Sequence, residues 1–414
     1  MRAMSIRRVA REFSFIRGNF LILLASWTLM NFASAIPNTY YSLYILALGG
    51  TTVIIGVIGS ISSLILGLIQ FPGGYLADKH GRRWLVVSMT FGVATSYLVY
   101  AVAPSWHFVL MAGILQNLCL IYQPALGAIT ADSIPPERRG IGFSVQTLLL
   151  NVASVPGPVI AGALYLALGL VPATRVGYTI AFILFLIAAT IRMKLRETLK
   201  EKVDRPTVTA ALRSYPRSVR ESFRVWKLLP KAMFCLFVVS SLLQFFASLC
   251  DLFFVVYATK ILGISGLEWA LLTTLLFVAR MLSALPSGKI IDLFGRRKPL
   301  ALSHLLLLPV TLLFLYGDFY RLLVSFLIFG VAQSMLSVSS QSLQADLAPR
   351  EHRGKVIGCT QFASYLLAAL GQLLGGVLYS YYSPQAPFII LAASTAPLTI
   401  MTVLLVHDPK KREE

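Results

Sequence analysis

The amino-acid sequence predicts an all-α membrane protein in which twelve transmembrane helices form two pseudo-symmetric six-helix bundles. Three observations predict this fold: long apolar runs, a one-sided distribution of positive charge and an internal repeat. Of the 414 residues, 57% are hydrophobic and only 13% are charged. Soluble domains carry about 25% charged residues, so this composition excludes an ordinary soluble protein.

Apolar runs of about 20 residues recur along the whole chain, and each is long enough to cross a hydrocarbon layer of ~30 Å as a helix. The short alternating segments typical of a membrane β-barrel are absent from the sequence. Backbone polar groups in lipid must then be paired within each segment, which predicts helices. The twelve runs are centred near residues 33, 64, 93, 119, 152, 183, 246, 277, 307, 333, 367 and 396.

The formal net charge of +19 raises the question of nucleic-acid binding, but the placement of the charges argues against it. With the N-terminus assigned to the cytoplasm, 32 of the 36 Lys and Arg residues lie on the cytoplasmic side. The exceptions are Arg175, Lys260 and Arg321 near the opposite face and Arg280 inside the eighth predicted helix. This bias predicts a multi-pass protein of the plasma membrane with both termini in the cytoplasm, in contact with lipid headgroups and without a nucleic-acid partner.

An internal repeat relates two halves of the chain at an offset of 214 residues. The pattern Gly-x-x-x-Asp-[Arg/Lys]-x-Gly-Arg-[Arg/Lys] occupies residues 74–83 and returns at residues 288–297, where Leu293 alone departs from it. Matches without drift predict two six-helix halves related by an axis along the membrane normal. Further pairs at this offset are Asp132 and Asp346, Gly157 and Gly371, and Gly162 and Gly376.

The repeat divides the chain into an N-terminal six-helix bundle (1–193), a cytoplasmic central loop (194–231) and a C-terminal six-helix bundle (232–414). Within the loop, apolar residues that include Phe223 and Trp226 recur at helical spacing among basic residues. This pattern predicts an amphipathic helix on the membrane surface. A tether between the halves and a regulatory or partner-binding segment are both open interpretations.

The repeated pattern resembles the signature loop of the major facilitator superfamily. Gly74 lets two helices approach closely, Asp78 lies at a helix end and Gly81 permits a tight turn. Arg82 can then pair with Asp132 at the end of the fourth predicted helix. The resemblance implies a twelve-helix transporter whose loop acts as a cytoplasmic gate that stabilises the outward-open state. The predicted gate residues are Gly74, Asp78, Gly81, Arg82, Arg83, Asp132, Asp292, Arg296 and Asp346.

Residues 157–162 of the fifth predicted helix, Gly-Pro-x-x-Ala-Gly, resemble the core of the superfamily's antiporter motif. Small residues permit close helix packing, and Pro158 removes a backbone hydrogen bond. The match is partial, and Gly113 stands where the exporters' fourth helix would carry an Arg. Gly157, Pro158 and Gly162 therefore leave two interpretations open, a role in efflux and plain helix packing.

Asn and Gln side chains are confined to a subset of the predicted helices, and the third, sixth, ninth and twelfth contain none. Because an amide facing lipid is left unpaired, these four helices should form the outside of the bundle. The mixture of amides and aromatic residues in the other helices suits neutral, amphipathic or weakly cationic molecules. The predicted substrate cavity is lined by Asn31, Asn38, Tyr41, Gln116, Gln123, Gln244, Tyr257, Gln333 and Gln341.

The first half has no Asp, Glu, Lys or Arg deep in a predicted helix, whereas the second half has Asp251 and Arg280. At a rise of ~1.5 Å per residue their depths differ by roughly 6 Å, which an Arg side chain can span. An ion pair is therefore expected. Either Asp251 alternates between this pair and protonation, which couples transport to protons, or the pair is permanent and structural.

These features predict a secondary transporter that works by alternating access and exports small amphipathic or drug-like compounds, driven by protons. Uptake of a neutral solute such as a sugar, by symport or uniport, is the alternative function, and sodium is the alternative coupling ion. The sequence contains neither a phosphate-binding loop nor metal-ligand spacing, so no enzyme activity, metal or cofactor is expected. The molecule is expected to act as a monomer.

Overall fold

The computed structural model describes residues 15–135, 138–198, 231–347 and 353–407. Within these ranges, twelve helices are long and apolar enough to cross a membrane. The prediction of a twelve-helix membrane protein is therefore confirmed. The predicted amphipathic helix of the central loop lies outside the described residues.

The first half contains six spanning helices, three of which are built from two segments. They are α1 (Asn19–Asn38 and Tyr41–Ala47), α2 (Thr52–His80), α3 (Arg82–Ala101), α4 (Trp106–Cys119 and Gln123–Ser133), α5 (Arg139–Ser154 and Pro156–Leu168) and α6 (Leu170–Arg192).

The second half contains six more, of which the first is interrupted like α1. They are α7 (Lys231–Ser248 and Phe254–Lys260), α8 (Gly266–Phe294), α9 (Arg297–Leu315), α10 (Phe319–Leu347), α11 (Arg353–Val377) and α12 (Ala386–Leu405).

The helix bounds reproduce the sequence repeat. α2 and α8 are both 29 residues long, and their first residues lie 214 positions apart. Equivalent residues cap them: Thr51 Oγ1 accepts from the Ile54 N–H at 3.3 Å, and Ser265 Oγ accepts from the Glu268 N–H at 3.2 Å. Both α1 and α7 are interrupted and then continue as seven-residue segments. The two bundles are thus two versions of one backbone plan, as predicted.

The four helices without Asn or Gln pack mainly on their own half. α3 packs on α4 and α6, and α9 packs on α10 and α12. The halves meet through α2 against α11 and through α5 against α8. The four helices without Asn or Gln therefore take no part in these two contacts between the halves.

The two ends of the bundle differ in how the halves meet. The signature end carries the turns at Gly81 and Gly295, and the opposite end carries the turns at Gly49 and Gly263. All four glycines have positive φ, a conformation that L side chains rarely adopt.

At the opposite end the halves are hydrogen-bonded to each other. Trp269 Nε1 donates to the carbonyl oxygen of Thr39 at 3.0 Å, and the Tyr40 hydroxyl donates to the carbonyl oxygen of Gly266 at 2.7 Å. Nearer the signature end, a Cβ added to Gly288 of α8 would meet no atom within 4 Å. The structure is therefore closed at the opposite end.

Candidate functional site

A cavity of about 590 Å³ lies between the two halves and is lined by α1, α5, α7 and α8. The breaks in α1, after Asn38, and in α7, at residues 249–253, both border it. Irregular backbone at membrane depth is tolerated where it lines a cavity, and broken helices of this kind form transporter binding sites. The volume falls within the range of ~300–1,000 Å³ that small-molecule sites have.

Asp251 and Arg280 are the acidic and the basic side chain among the described residues that line this cavity. Asp251 lies exposed in the break of α7, and Arg280 lies half-buried on α8. Both side chains are described, and no ion pair joins them in this conformation. The expected ion pair is therefore not formed in this conformation, and both charged side chains line the cavity instead.

Three of the predicted cavity residues share this lining with the two charges: Asn31, Asn38 and Tyr41. Asn31 Nδ2 donates to the carbonyl oxygen of Trp27 one turn earlier, at 3.0 Å. That bond orients the amide. Asn38 lies at the break of α1 and is exposed. The first half thus supplies neutral hydrogen-bonding groups to a cavity whose charges come from the second half.

Tyr257 does not line the cavity, so this prediction is wrong. Its side chain is only 1% exposed, and its hydroxyl donates to the carbonyl oxygen of Leu315 in α9 at 3.0 Å. Its ring packs against Phe314 and Phe388, with centroids 5.6 and 5.0 Å apart. A tyrosine directed towards lipid or cavity and one directed into its own bundle have the same sequence signal.

The remaining predicted amides also lie away from this cavity or beside it. Gln123 Oε1 accepts from Gln70 Nε2 at 3.2 Å, and Gln244 Nε2 donates to Ser248 Oγ at 3.0 Å. Gln341 is exposed on α10. These local partners satisfy the amides without a cavity. Those that do not line the cavity are Gln116, Gln123, Gln244, Gln333 and Gln341, of which Gln116 lines an adjoining pocket.

A second pocket of about 170 Å³ adjoins the cavity, because Asn38 and Tyr41 line both. It is called the tyrosine pocket, and the ring of Tyr100 stacks on that of Tyr178 in its wall, with centroids 4.8 Å apart and planes at 10°. The other lining residues are Ser62, Tyr97, Gln116 and Asn117.

The sequence interpretation missed the tyrosines of α3 and α6, which were assigned to the outer helices. Tyr97, Tyr100 and Tyr178 are all at most 4% exposed and face inward. Three tyrosines within helices that lack amides were the available signal. A phenol ring is apolar enough to pass as lipid-facing in a composition count, which is why the signal was weak.

At the signature end, the first copy of the repeated pattern is held to its own half. Gly81 has φ +89°, and Arg82 Nη1 donates to Asp132 Oδ2 at 2.6 Å. Arg83 Nη2 donates to the carbonyl oxygen of Met193, after α6, at 2.8 Å. The described part of the predicted gate therefore links the turn between α2 and α3 to α4 and α6.

The second copy is described less fully. Gly295 has φ +79°, and Arg296 precedes the first residue of α9. The remaining gate predictions concern parts of the chain outside the description of side chains and their surroundings, namely Gly74, Asp78, Asp292 and Asp346.

Comparison with known proteins identifies the family. The model described as Major Facilitator Superfamily matches residues 18–254 and again 236–414. The chain belongs to the major facilitator superfamily. Multidrug resistance protein MdtG of Enterobacter lignolyticus is 26% identical over 353 residues, covering 81% of this chain and 78% of that protein. A Na⁺, Li⁺, K⁺/H⁺ antiporter of Planococcus maritimus is 25% identical over 394 residues, covering 86% and 88%.

Solved structures share the fold of this facilitator. The human organic anion transporter MFSD10 superposes with a TM-score of 0.67 at 19% identity, covering 93% of this chain and 98% of that one. The nucleoside transporter NupG superposes with a TM-score of 0.72 at 16% identity, covering 94% and 99%. The prediction of a facilitator-type membrane transporter rather than an enzyme is confirmed.

The glycines of the predicted antiporter motif have matching uses in the two halves of this facilitator. A Cβ on Gly157 would collide with the Cβ of Ala35 in α1, and one on Gly371 would lie 2.6 Å from the carbonyl oxygen of Phe245 in α7. Pro158 is buried beside Gly157 in the second segment of α5.

Gly162 and its repeat equivalent Gly376 pack across the interface between the halves. A Cβ on Gly162 would lie 2.9 Å from the Cβ of Ala270 in α8, and one on Gly376 would lie 3.2 Å from the Cα of Gly56 in α2. Because the same contacts occur in both halves, they favour helix packing over a contribution specific to efflux.

One buried charge of the first half was missed by the sequence interpretation, which placed it at a cytoplasmic helix end. Arg192 is the last residue of α6, yet its side chain is 0% exposed. Its Nε donates to Ser26 Oγ at 3.1 Å and its Nη1 to Thr90 Oγ1 at 2.8 Å, and the guanidinium lies 5.5 Å from the ring of Tyr122. Two hydroxyl groups and the face of an aromatic ring thus contact the guanidinium, in place of the carboxylate that usually pairs with a buried arginine.

Proposed function

We propose that this facilitator is a proton-driven exporter of small amphipathic or drug-like compounds in the plasma membrane, with both termini in the cytoplasm. One observation carries the proposal: the cavity between the halves is lined by one carboxyl group, Asp251, and one guanidinium, Arg280, which are not paired with each other. The other polar lining residues are amides and hydroxyls. Such a lining suits a neutral or weakly cationic amphipathic substrate.

Asp251 is the proposed proton carrier. As a carboxylate it attracts a cationic substrate. As a carboxylic acid it loses that attraction, so the substrate and the proton compete for one group. This competition produces antiport, because a proton that binds from outside releases the substrate there and must leave to the cytoplasm before the next substrate binds.

The positive-inside bias supports assignment of the signature end to the cytoplasm. The structure then corresponds to an inward-facing state, in which the contacts of Trp269 with Thr39 and of Tyr40 with Gly266 seal the cavity from outside. Alternating access requires these contacts to break while the signature end closes. The pair of Arg82 and Asp132 lies within one half, so it can persist in both states.

The relatives support the direction of transport and its coupling, since one is named a multidrug resistance protein and another a cation/proton antiporter. Uptake of a neutral solute by symport or uniport is the alternative function. Sodium is the alternative coupling ion. The protein is proposed to act as a monomer in contact with membrane lipid.

Flux into proteoliposomes tests the proposal. The purified protein is reconstituted, the membrane potential is clamped with potassium and valinomycin, and a pH gradient is imposed with an acidic lumen. Ethidium, tetraphenylphosphonium and glucose are supplied outside. We expect the two organic cations to accumulate without sodium and glucose not to. Equilibration of glucose across the membrane, its accumulation when the gradient is reversed to an acidic exterior, or a strict need for a sodium gradient would favour the alternatives. Binding without flux under any gradient would overturn the proposal.

A further inference from the structure

We propose that the tyrosine pocket is a subsite for a planar ring that carries a polar atom, such as a phenol or a nitrogen heteroaromatic ring. The rest of the transported molecule lies in the main cavity, with a cationic group towards Asp251. This inference rests on the proposed function and narrows its substrate class from amphipathic compounds in general to ring-bearing cations.

The size and position of the pocket fit one ring. Its volume is about 170 Å³. An engineered cavity of ~150 Å³ in another protein binds benzene, so a single six-membered ring fits here with little room to spare. Asn38 and Tyr41 line both the pocket and the main cavity, so a molecule can occupy the two together.

The chemistry of the pocket favours a flat ring with a polar substituent. Tyr100 and Tyr178 already stack face to face in its wall, and aromatic faces offer a further ring the same kind of contact. The Tyr178 hydroxyl oxygen is buried and has no hydrogen-bond partner in the described structure. Gln116 Oε1 lies 3.5 Å from the Tyr100 hydroxyl, at the limit of a hydrogen bond. A polar atom on the bound ring can pair with the Tyr178 hydroxyl, which is costly to leave without a partner.

Gly113 of α4 leaves space for the ring because it has no side chain. A Cβ added to Gly113 of α4 would lie 3.1 Å from the Tyr100 hydroxyl oxygen and 3.4 Å from Ser62 Oγ. Any larger residue at this position would project towards the pocket wall. Asn117 Nδ2 donates to the Gly113 carbonyl oxygen at 2.7 Å, which holds this turn of α4 in place.

The second half provides an internal control, because the repeat supplies the same backbone with different residues. At the equivalent positions most of the polar lining is replaced by apolar side chains, although Tyr97 is replaced by the hydroxyl-bearing Thr311. The rings of Phe254, Phe314 and Phe388 pack together there, with centroids 4.8 to 5.2 Å apart. The fold therefore does not require the tyrosine pocket. The replacements are Asn38 by Leu252, Ser62 by Leu276, Tyr100 by Phe314, Gln116 by Gly330 and Tyr178 by Ala392.

Equilibrium binding of three matched probes to the full chain in lipid nanodiscs tests the inference. The probes are the 4-hydroxyphenethyl-, phenethyl- and 2-cyclohexylethyl-trimethylammonium cations, which have the same charge and the same chain length. The first differs from the second by one hydroxyl, and the second from the third by ring planarity. We expect affinity to fall in that order, by about fivefold at each step.

Two variants test whether the tyrosine pocket causes the preferences for a planar ring and for a hydroxyl group. Ser62→Leu, which introduces the residue found at the equivalent position of the second half, should fill the pocket and equalise the three affinities. Tyr178→Phe should remove only the preference for the hydroxyl, and it keeps the test available if Ser62→Leu fails to fold. Tyr257→Phe, which removes a hydroxyl from the aromatic cluster of the second half, should leave all three affinities unchanged.

Equal affinities in the unmodified protein would overturn the inference, as would a ring preference that persists in a folded Ser62→Leu variant. Either result leaves proton-driven export of ethidium intact. Conversely, a failure of gradient-driven flux would overturn the proposed function, while the binding assay would still report whether the pocket selects rings.

Discussion

The two halves of this facilitator share a backbone but divide the chemistry of the cavity between them. α2 and α8 have the same length and equivalent caps, and α1 and α7 are interrupted at equivalent places. Yet Asp251 and Arg280 correspond to Pro37 and Leu66 in the first half. The repeat thus supplies the architecture twice, whereas the charges come from one half and the tyrosine pocket from the other.

The two halves also differ in the polar side chains that connect their outer helices to each other. In the first half, Arg192 Nη1 donates a hydrogen bond to Thr90 Oγ1. In the second half, His304 occupies the position equivalent to Thr90, and its Nδ1 lies 2.9 Å from Thr402 Oγ1. The residue equivalent to Arg192 is the buried Val406. Equivalent sites between outer helices are therefore satisfied by different chemistry, because only the backbone plan is shared.

The largest effect on transport is expected from removing the negative charge of Asp251 in the cavity. Asp251→Asn should reduce pH-driven accumulation of ethidium by about 100-fold or more while substrate exchange continues, because an amide cannot carry the proton. Accumulation and counterflow in proteoliposomes measure the two activities. Asp318→Asn, a change at an exposed carboxylate outside the cavity, should alter neither. Persistent pH-driven accumulation in Asp251→Asn would show that proton coupling resides elsewhere.

A change at the interface tests whether the halves must separate at the opposite end. A Cβ at Gly56 would lie 2.5 Å from the carbonyl oxygen of Gln372, so Gly56→Ala should force α2 and α11 apart and favour the outward-facing state. Maleimide labelling of a cysteine introduced at Asn151, in a cysteine-free background, should increase about tenfold from outside.

Gly358→Ala is the matched control for that change, because a Cβ at Gly358 of α11 would meet no atom within 4 Å. Both substitutions gain the same ~1 kcal/mol of helix propensity, so their difference isolates the collision. Equal labelling of the two variants would contradict closure by close packing of α2 on α11.

A smaller effect is expected at the signature end. Arg82→Gln should lower turnover up to about fivefold with little change in KM, since its partner Asp132 is 45% exposed and exposed pairs contribute ~1 kcal/mol or less. Asp78→Asn, near the end of α2, should act in the same direction. Initial rates over a range of ethidium concentrations separate the two constants. A rise in KM at constant turnover would assign these residues to substrate binding instead of the gate.

The smallest effect is expected for Tyr257→Phe. The change removes the hydrogen bond to the Leu315 carbonyl oxygen and should lower stability by ~1 kcal/mol, with transport unchanged. Thermal unfolding in detergent and ethidium flux measure the two outcomes. A loss of transport at unchanged stability would return Tyr257 to the cavity.

The sequence by itself determined the membrane spans, their number, the repeat and the presence of two intramembrane charges. These are local properties, because the length and polarity of a segment decide whether it can cross a bilayer, whatever its neighbours are. The turns at Gly81 and Gly295 are local properties as well, since each needs a residue that tolerates positive φ.

Only the tertiary structure decided which side chains face the cavity. Asn31 and Tyr257 were equally good candidates by sequence, but one lines the cavity and the other bonds the backbone of α9. Asp251 and Arg280 were close enough in depth to pair, yet each opens separately onto the cavity. Side-chain direction depends on helix breaks and on partners from distant helices, and neither is contained in the composition of a single segment.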